Sequence, residues 1–260
     1  MLGISYYFLG RVGDAAEVYR AWLQEEPANP IAQHMLAACS QEHVPERASN
    51  EYLEAYFDNY AENFEHHLTD QLNYQGPAMI QAGLKIIPEL GSQLSTIDIG
   101  CGTGMCGPIL SPCSRTLTGV DLAEKMLAKA AEAGHYSLLE KAEVSEYLAA
   151  HPDSADLIAA ADTMIYFGDL KPIFERVSIS LRDGAYFVFT VERLTRESDS
   201  VDDFVLHPSG RYRHDSNYVS QILAAAGMTL LHHSGHPLRK ELGESIEGTL
   251  FVAKKETLSS

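Results

Sequence analysis

Residues 97 to 107 read Ile97-Asp98-Ile99-Gly100-Cys101-Gly102-Thr103-Gly104-Met105-Cys106-Gly107, an acid followed by glycines at alternate positions. The apolar lead-in reads as the end of a strand. The glycines let the backbone turn sharply and approach a ligand closely, because no Cβ intervenes. The helix expected next offers unpaired N–H groups and a positive dipole end to a carboxylate or phosphate. Asp98, two residues before the first glycine, can hold a ligand's amino group. A pyrophosphate at that position would be repelled, which argues against a nicotinamide dinucleotide. A second acid, Asp121, ends Thr118-Gly119-Val120-Asp121 and can accept hydrogen bonds from both hydroxyls of a ribose. Asp121 suits a nicotinamide cofactor equally, so it does not discriminate. No Gly-Lys-Ser/Thr follows the loop, which excludes a P-loop nucleotidase.

Candidates for acid–base work and for holding a substrate fall between Glu192 and Asp215, with Phe204, His207, Arg211, Tyr212, Arg213 and His214. From His207 to His214 there is no acid, a local reversal in a chain carrying 36 acids and 19 bases. On a solvated loop such a reversal means nothing. If Arg211 points into a site, its planar fork suits a carboxylate or phosphate. Tyr212 then faces the opposite side of an extended segment, and His214 is expected near Asp162 as base or hydrogen-bond donor. His66, His67, His232, His233 and His236 are rival bases; His232 and His233 read as edge-strand residues. Cys101, Cys106 and Cys113 are spaced unlike any common zinc pattern and have no histidine nearby, so reduced buried thiols are expected and no metal.

The elements that must position these groups are legible from pattern. The chain has 260 residues, 45% of them hydrophobic, enough for one large domain or one domain with a small appendage. The formal charge of −17 disfavours nucleic acid and anionic membrane surfaces as partners. No apolar run approaches a membrane span, and no leader pattern opens the chain, so a cytoplasmic location is expected. From Leu94 strands alternate with helices: strands at 95–99, 116–121, 136–140, 156–161 and 185–191, helices at 105–110, 123–133, 144–150 and 170–181. A helix at 217–226 precedes two strands, 228–234 and 247–253. The alternation predicts an α/β, doubly wound, mostly parallel seven-stranded sheet, and the last two strands predict an antiparallel edge hairpin. Ligands are then expected beyond the strand C-termini.

Two helical regions precede the sheet. Leu2, Tyr6, Leu9 and then Ala15, Ala16, Tyr19, Trp22 and Leu23 recur at helical spacing around Gly10-Arg11. With Pro27 the pattern resembles one tetratricopeptide repeat over residues 1–45. From Glu51 to Leu68, Tyr52, Tyr56, Tyr60 and Phe64 recur every four residues. That stripe is either core packing or the roof of a pocket.

The run Asp98-Ile99-Gly100-Cys101-Gly102-Thr103-Gly104, then Gly119-Val120-Asp121-Leu122 with Met126, then Asp156-Leu157-Ile158 resembles class I S-adenosylmethionine-dependent methyltransferases at three successive strands. Segments 56–68, 160–170 and 209–212 resemble bacterial methyltransferases with tetratricopeptide-like N-termini. The resemblance implies a Rossmann-like domain over 46–260, with an aromatic lid helix in 46–75 and a substrate-covering insertion at 192–215. It implies S-adenosylmethionine as cofactor, leaving S-adenosylhomocysteine as product. Asp98 would bind the methionyl ammonium. The backbone of Gly100, Cys101, Gly102, Thr103 and Gly104 would run beside the methionyl part and ribose. Asp121 would chelate the ribose, Leu122 and Met126 would pack on adenine, and Glu143 and Val144 would flank its edge. Tyr60 and Phe64 would close the roof, and Ala161 and Asp162 would lie beside the transferable methyl. Tyr56, Tyr166, His207, Arg211 and Tyr212 would meet the substrate, with Asp162 and His214 as the catalytic pair. Leu181-Arg182-Asp183-Gly184-Ala185 departs from the family's Leu-Arg-Pro-Gly-Gly, and Gly184 keeps the turn.

The expected reaction is methyl transfer to a small polar or anionic metabolite, chiefly by proximity and orientation. The alternatives are a protein substrate docked through the N-terminal helices, or a cofactor-binding module without transfer activity.

Overall fold

A computed structural model describes residues 2–60, 72–195, 202–241 and 243–257. Three helices open the chain: α1 (Leu2–Phe8), α2 (Val12–Glu25) and α3 (Pro30–Ser40). Asn29 caps α3, its side-chain oxygen accepting from the amide of Ala32 at 3.0 Å, and Pro30 occupies the first turn, where its missing N–H has no partner to lose. Ala15, Ala16, Tyr19, Met35 and Cys39 form the small core between these helices. Next comes α4 (Asn50–Tyr60), the first part of the aromatic stripe, and α5 (Gly76–Ile86).

The sheet follows in the expected order: β1 (Leu94–Ile99), α6 (Gly107–Leu110), β2 (Ser114–Asp121), α7 (Glu124–Ala133), β3 (Leu138–Lys141), α8 (Val144–Ala150), β4 (Ala155–Ala160), α9 (Lys171–Ser180) and β5 (Leu181–Arg193). After β5 come two short strands, β6 (Phe204–Leu206) and β7 (Tyr212–His214), then α10 (Ser216–Ala225) and the hairpin β8 (Met228–Glu241) and β9 (Glu244–Lys255). Seven strands make the main sheet, in the order β3-β2-β1-β4-β5-β9-β8. The first five are parallel; β9 runs antiparallel to both β5 and β8.

Among the described residues nine strands share the sheet rather than seven, because β6 and β7 pair with each other and β7 continues beside the end of β5. The segment read as a covering loop thus holds a small ribbon. A second difference lies at β3, which starts at Leu138 and leaves Tyr136 outside the strand.

Both faces of the sheet are buried, so neighbouring strand residues serve opposite cores. Ile158, Ala160, Phe187, Phe189 and Val191 face the core closed by α8, α9 and α10, while Leu157, Ala159 and Val188 face the one closed by α5. No helix among the described residues is long and apolar enough to cross a membrane.

Helices α1–α3 do not stand apart from this sheet. Ala37 and Ala38 of α3 pack with Leu206 and Tyr212 of the β6–β7 ribbon. His34 donates to the carbonyl of Gly210 at 2.8 Å, the Gln41 amide to that of Leu206 at 2.8 Å, and the Tyr212 hydroxyl to that of Pro45 at 2.5 Å. Gly210 has φ +83°, and a Cβ there would lie 2.8 Å from the Met35 sulfur. The ribbon is therefore clamped by the N-terminal helices.

Candidate active site

Beyond the C-terminal ends of β1, β2 and β4, beneath α4, lies a cleft enclosing about 1210 Å³ of empty space including its open mouth. One wall is made of the loop after β1. Gly100 has φ +66°, and a Cβ on it would stand 2.3 Å from the Thr163 hydroxyl, which itself donates to the Ile99 carbonyl at 2.8 Å. The Gly102 amide donates to Asp121 Oδ2 at 2.9 Å and the Ala123 amide to Oδ1 at 2.8 Å. Asp121 thus fixes the loop from the next strand and keeps further lone pairs for a ligand. Burial raises its pKa, while those amides pull the other way.

Asp98 is buried at the end of β1 and accepts from the Tyr136 hydroxyl at 2.7 Å. Burial pushes its carboxyl up to about 7, against the opposing hydrogen bond. Thr103 is buried too, its hydroxyl without a partner among the described residues. A site with an under-paired acid and an orphaned hydroxyl beside a tight glycine turn suits a ligand that brings an ammonium and polar oxygens.

Cys101, Leu122, Met126, Glu143, Val144 and Ala161 line the same wall. Glu143 accepts from the Glu146 amide at 2.9 Å as the cap of α8, and its other oxygen is 3.6 Å from Arg47. Gly104 has φ +90° but lies behind the wall, where a Cβ would meet Tyr136 and Ala130; it shapes the turn and does not face the cleft. The roof is formed by Leu53, Tyr56 and Phe57 of α4. The Phe57 ring meets Tyr166 edge-on at 5.6 Å and packs on Ala123 and Met126. Tyr60 ends the described part of α4, and Phe64, His66 and His67 lie outside the described residues.

The opposite wall is built from ionised side chains. Asp162, just past β4, has φ +56° in a region non-glycine residues seldom occupy. Its amide donates to the Thr190 hydroxyl, its Oδ2 accepts from Arg239 Nη1 at 3.2 Å, and its buried Oδ1 has no partner among the described residues. Burial raises the Asp162 pKa and Arg239 opposes that rise. Arg239 also reaches Glu192 at 2.5 Å and Glu241 at 2.8 Å, and Arg213 pairs with Glu192 at 2.7 Å. Arg211 lines the cleft and donates to Glu241 Oε1 at 2.5 Å. Burial would raise Glu241, but Arg211 and Arg239 outweigh it and hold its carboxyl down at about 2. Tyr74 and Tyr166 complete this wall.

Three sequence expectations are corrected here. His214 does not reach Asp162: its Nε2 donates to the carbonyls of Phe167 at 2.9 Å and Gly168 at 3.1 Å, inside the core. Burial pushes its pKa down to about 4. The reason is parity, since His214 lies on the same face of β7 as the fully buried Tyr212. Tyr212 likewise faces the N-terminal helices and not the cleft. His207 sits in the β6–β7 turn, bonded to Ser209 at 3.0 Å and edge-on to Tyr7, with burial and Arg213 lowering it to about 4. Arg211, of opposite parity to Tyr212, is the member of that cluster brought to the site. His232 and His236 lie on the edge strand, each bonded to Ser234.

Sequence reasoning missed Tyr136, Arg239, Glu241 and Tyr74. Tyr136 was assigned to β3. Arg239 and Glu241 fall beyond Gly235 and Pro237, where the strand was expected to have stopped. Tyr74 carried no signal beyond its place before the Gly76-Pro77 helix start.

A family model described as "Methyltransferase domain" matches residues 97–187, from β1 into β5. The chain is 30% identical over 105 residues to the probable S-adenosylmethionine-dependent methyltransferase CRG1 of Saccharomyces cerevisiae, 38% of this chain and 36% of that protein. It thus spans about a third of that curated relative's length. A solved S-adenosylmethionine-dependent methyltransferase from Mesorhizobium loti superposes with a TM-score of 0.54 at 22% identity, covering 67% of this chain and 96% of that one. Magnesium protoporphyrin IX methyltransferase from Synechocystis, solved with bound S-adenosylhomocysteine, gives 0.53 at 16%, covering 70% and 83%. The chain therefore has the class I S-adenosylmethionine-dependent methyltransferase fold and carries a methyltransferase domain.

Proposed function

We propose that the protein transfers a methyl group from S-adenosylmethionine to a small polar or anionic metabolite bound in the same cleft. The observation that carries this reading is the glycine turn from Gly100 to Gly104 cross-tied to Asp121 beside the under-paired Asp98. When bound, the cofactor supplies a methyl group made electrophilic by its sulfonium. Asp98 then holds the methionyl ammonium, with Tyr136 fixing its carboxylate. Asp121 accepts from the ribose hydroxyls while keeping the loop amides. Leu122, Met126 and Val144 clasp the adenine, and Glu143 stands at its edge, its reach limited by its cap to α8. Ala161 and Asp162 flank the methyl, and Tyr56, Phe57 and Tyr166 exclude water. The work left to the protein is to hold the acceptor atom in line at about 3–3.5 Å.

Residues 1–45, the tetratricopeptide-like part, act on this reading as the brace of the β6–β7 ribbon, and 46–260 as the catalytic domain. A protein substrate on the N-terminal helices competes with that bracing role, because α3 already packs on β6 and β7. The test is calorimetry with S-adenosylmethionine, S-adenosylhomocysteine and NADH, then turnover with pooled metabolites and with lysate proteins. Binding of the first two alone and methylation of a metabolite are expected. Preferential NADH binding, or methylation of proteins only, overturns the proposal.

A further inference from the structure

The wall opposite the glycine turn holds a donor fork and an acceptor joined through one chain of ion pairs. Asp162 keeps a buried Oδ1 without a partner among the described residues, although its Oδ2 is tied to Arg239. Such an oxygen calls for a donor from outside the described residues, a water or a ligand's own N–H or O–H. Arg211 donates through Nη1 to Glu241 and lines the cleft, and its guanidinium keeps N–H groups beyond that one bond. Glu241 Oε1 accepts from Arg211 and Arg239 together, and Arg239 reaches Asp162. One carboxylate oxygen and one guanidinium therefore separate the fork from Asp162.

Tyr56, Phe57, Tyr74 and Tyr166 line the same cleft and give it aromatic surface on which a ring can stack. Arg211, Arg213 and Arg239 are balanced by Asp162, Glu192 and Glu241, so the cluster gives a cationic acceptor no net attraction. Asp162, Arg211 and Arg239 all line the cleft, so selection there falls to geometry and not to net charge: a carboxylate on Arg211 gains a planar fork that an ammonium cannot use.

On the methyltransferase reading above, we infer that the acceptor is a single-ring aromatic hydroxy acid, its carboxylate on Arg211 and its hydroxyl hydrogen-bonded to Asp162 Oδ1. The hydroxyl proton passes to Asp162 Oδ1 as the oxygen's lone pair bonds to the methyl carbon. The carbon–sulfur bond breaks with its electron pair kept by sulfur, which cancels the sulfonium charge. Asp162 returns the proton to water when the methyl ether leaves. Burial, which raises the Asp162 pKa, favours its acceptance of that proton.

The experiment uses the full chain saturated with S-adenosylhomocysteine and titrated with 3-hydroxybenzoate, 4-hydroxybenzoate and 4-hydroxyphenylacetate. Their methyl esters, their O-methyl ethers and tyramine are the controls. At least one acid should bind at least about tenfold tighter than its ester and than tyramine. Arg211→Lys, which keeps the charge and loses the fork, should remove at least about tenfold of that affinity with S-adenosylhomocysteine binding unchanged. Asp162→Asn should erase the preference for the phenol over its methyl ether. Acids that bind no better than their esters, or that bind Arg211→Lys as they bind the parent, overturn the inference, as does a phenol preference that survives Asp162→Asn. Failure of the unaltered chain to bind S-adenosylhomocysteine counts instead against the methyltransferase reading.

Discussion

The wall beside β1 and the wall beside β8 bound the same cleft, yet they are assembled from different materials. The first is backbone: a glycine turn whose amides are tied to Asp121, with Asp98, Thr103 and Tyr136 behind it. The second is side chain: Asp162, Glu192, Arg211, Arg239 and Glu241, drawn from four strands or strand ends and joined by ion pairs. A backbone wall tolerates few sequences, because positive φ and close approach demand glycine. A side-chain wall can be rebuilt by exchanging charges, so on the function proposed above a fixed cofactor subsite sits beside a changeable acceptor subsite.

Substitutions that attack one wall and spare the other sharpen this contrast. The largest effect is expected from Gly100→Ala, which forces a Cβ into the Thr163 hydroxyl at a backbone angle of +66°. Such strain costs about 1–3 kcal/mol before any clash. S-adenosylhomocysteine affinity should fall by at least about a hundredfold by calorimetry, at roughly 1.4 kcal/mol per tenfold, with a lowered melting temperature. Asp121→Ala comes next: each charge-assisted bond is worth about 1.5–3 kcal/mol, so affinity should drop at least about tenfold while the fold survives. Unchanged affinity in either variant removes the backbone wall from the binding site.

Asp98→Asn tests the same wall through pH. The folded pKa of Asp98, about 7, lies above its ordinary value of 3.8. The stability tied to its proton is therefore full below about pH 4 and is lost as pH rises through about 7. Ligand-free Asp98→Asn should gain on the unaltered chain in melting temperature between about pH 5 and 8. In the same window S-adenosylhomocysteine affinity should rise with pH in the unaltered chain and stay low and flat in the variant. A parallel pH profile for both counts against an ammonium on Asp98.

Glu241→Gln attacks the other wall by weakening the acceptor shared by Arg211 and Arg239. Affinity for an anionic acceptor should fall a few-fold, with cofactor affinity intact; a fall in both means the walls are not independent. The smallest effect is expected in the roof. Bound S-adenosylhomocysteine should slow amide exchange in residues 52–58 a few-fold, and equal rates with and without ligand return that helix to plain core packing.

The same contrast explains what could be read in advance. The strands from β1 to β5, the glycine turn, Asp98, Asp121 and the order of crossovers were legible because local rules govern them: apolar runs, glycine turns and helix starts. Alternation in an extended segment sets Arg211 opposite Tyr212 but does not say which of the two faces the cleft. That alternation also sets His214 apart, because residues two apart share a face, and His214 shares the buried face of Tyr212. Arg239 and Glu241 lie beyond the expected strand at 228–234, and Pro237 does not end the observed one. On the outermost strand, at a register shift between Pro237 and Arg239, a missing N–H costs no ladder bond, and β8 runs on to Glu241. The ion-pair wall as a whole had no local signature, since each member's partner is distant in the chain.

With the acceptor held by Arg211 as inferred above, the clamp of α3 on the β6–β7 ribbon bears on how acceptor preference can be inherited or transplanted. Arg211 is carried by a ribbon whose Gly210 carbonyl is taken by His34 and whose Tyr212 hydroxyl is taken by Pro45. A chimera that imports a foreign ribbon alone leaves the His34 ring facing the wrong carbonyl and the Met35 sulfur without its glycine. Residues 1–45 and 204–214, remote in the gene product, thus form one cassette. Lineages that change the acceptor by replacing this ribbon are expected to change both pieces together, while the glycine turn stays in place.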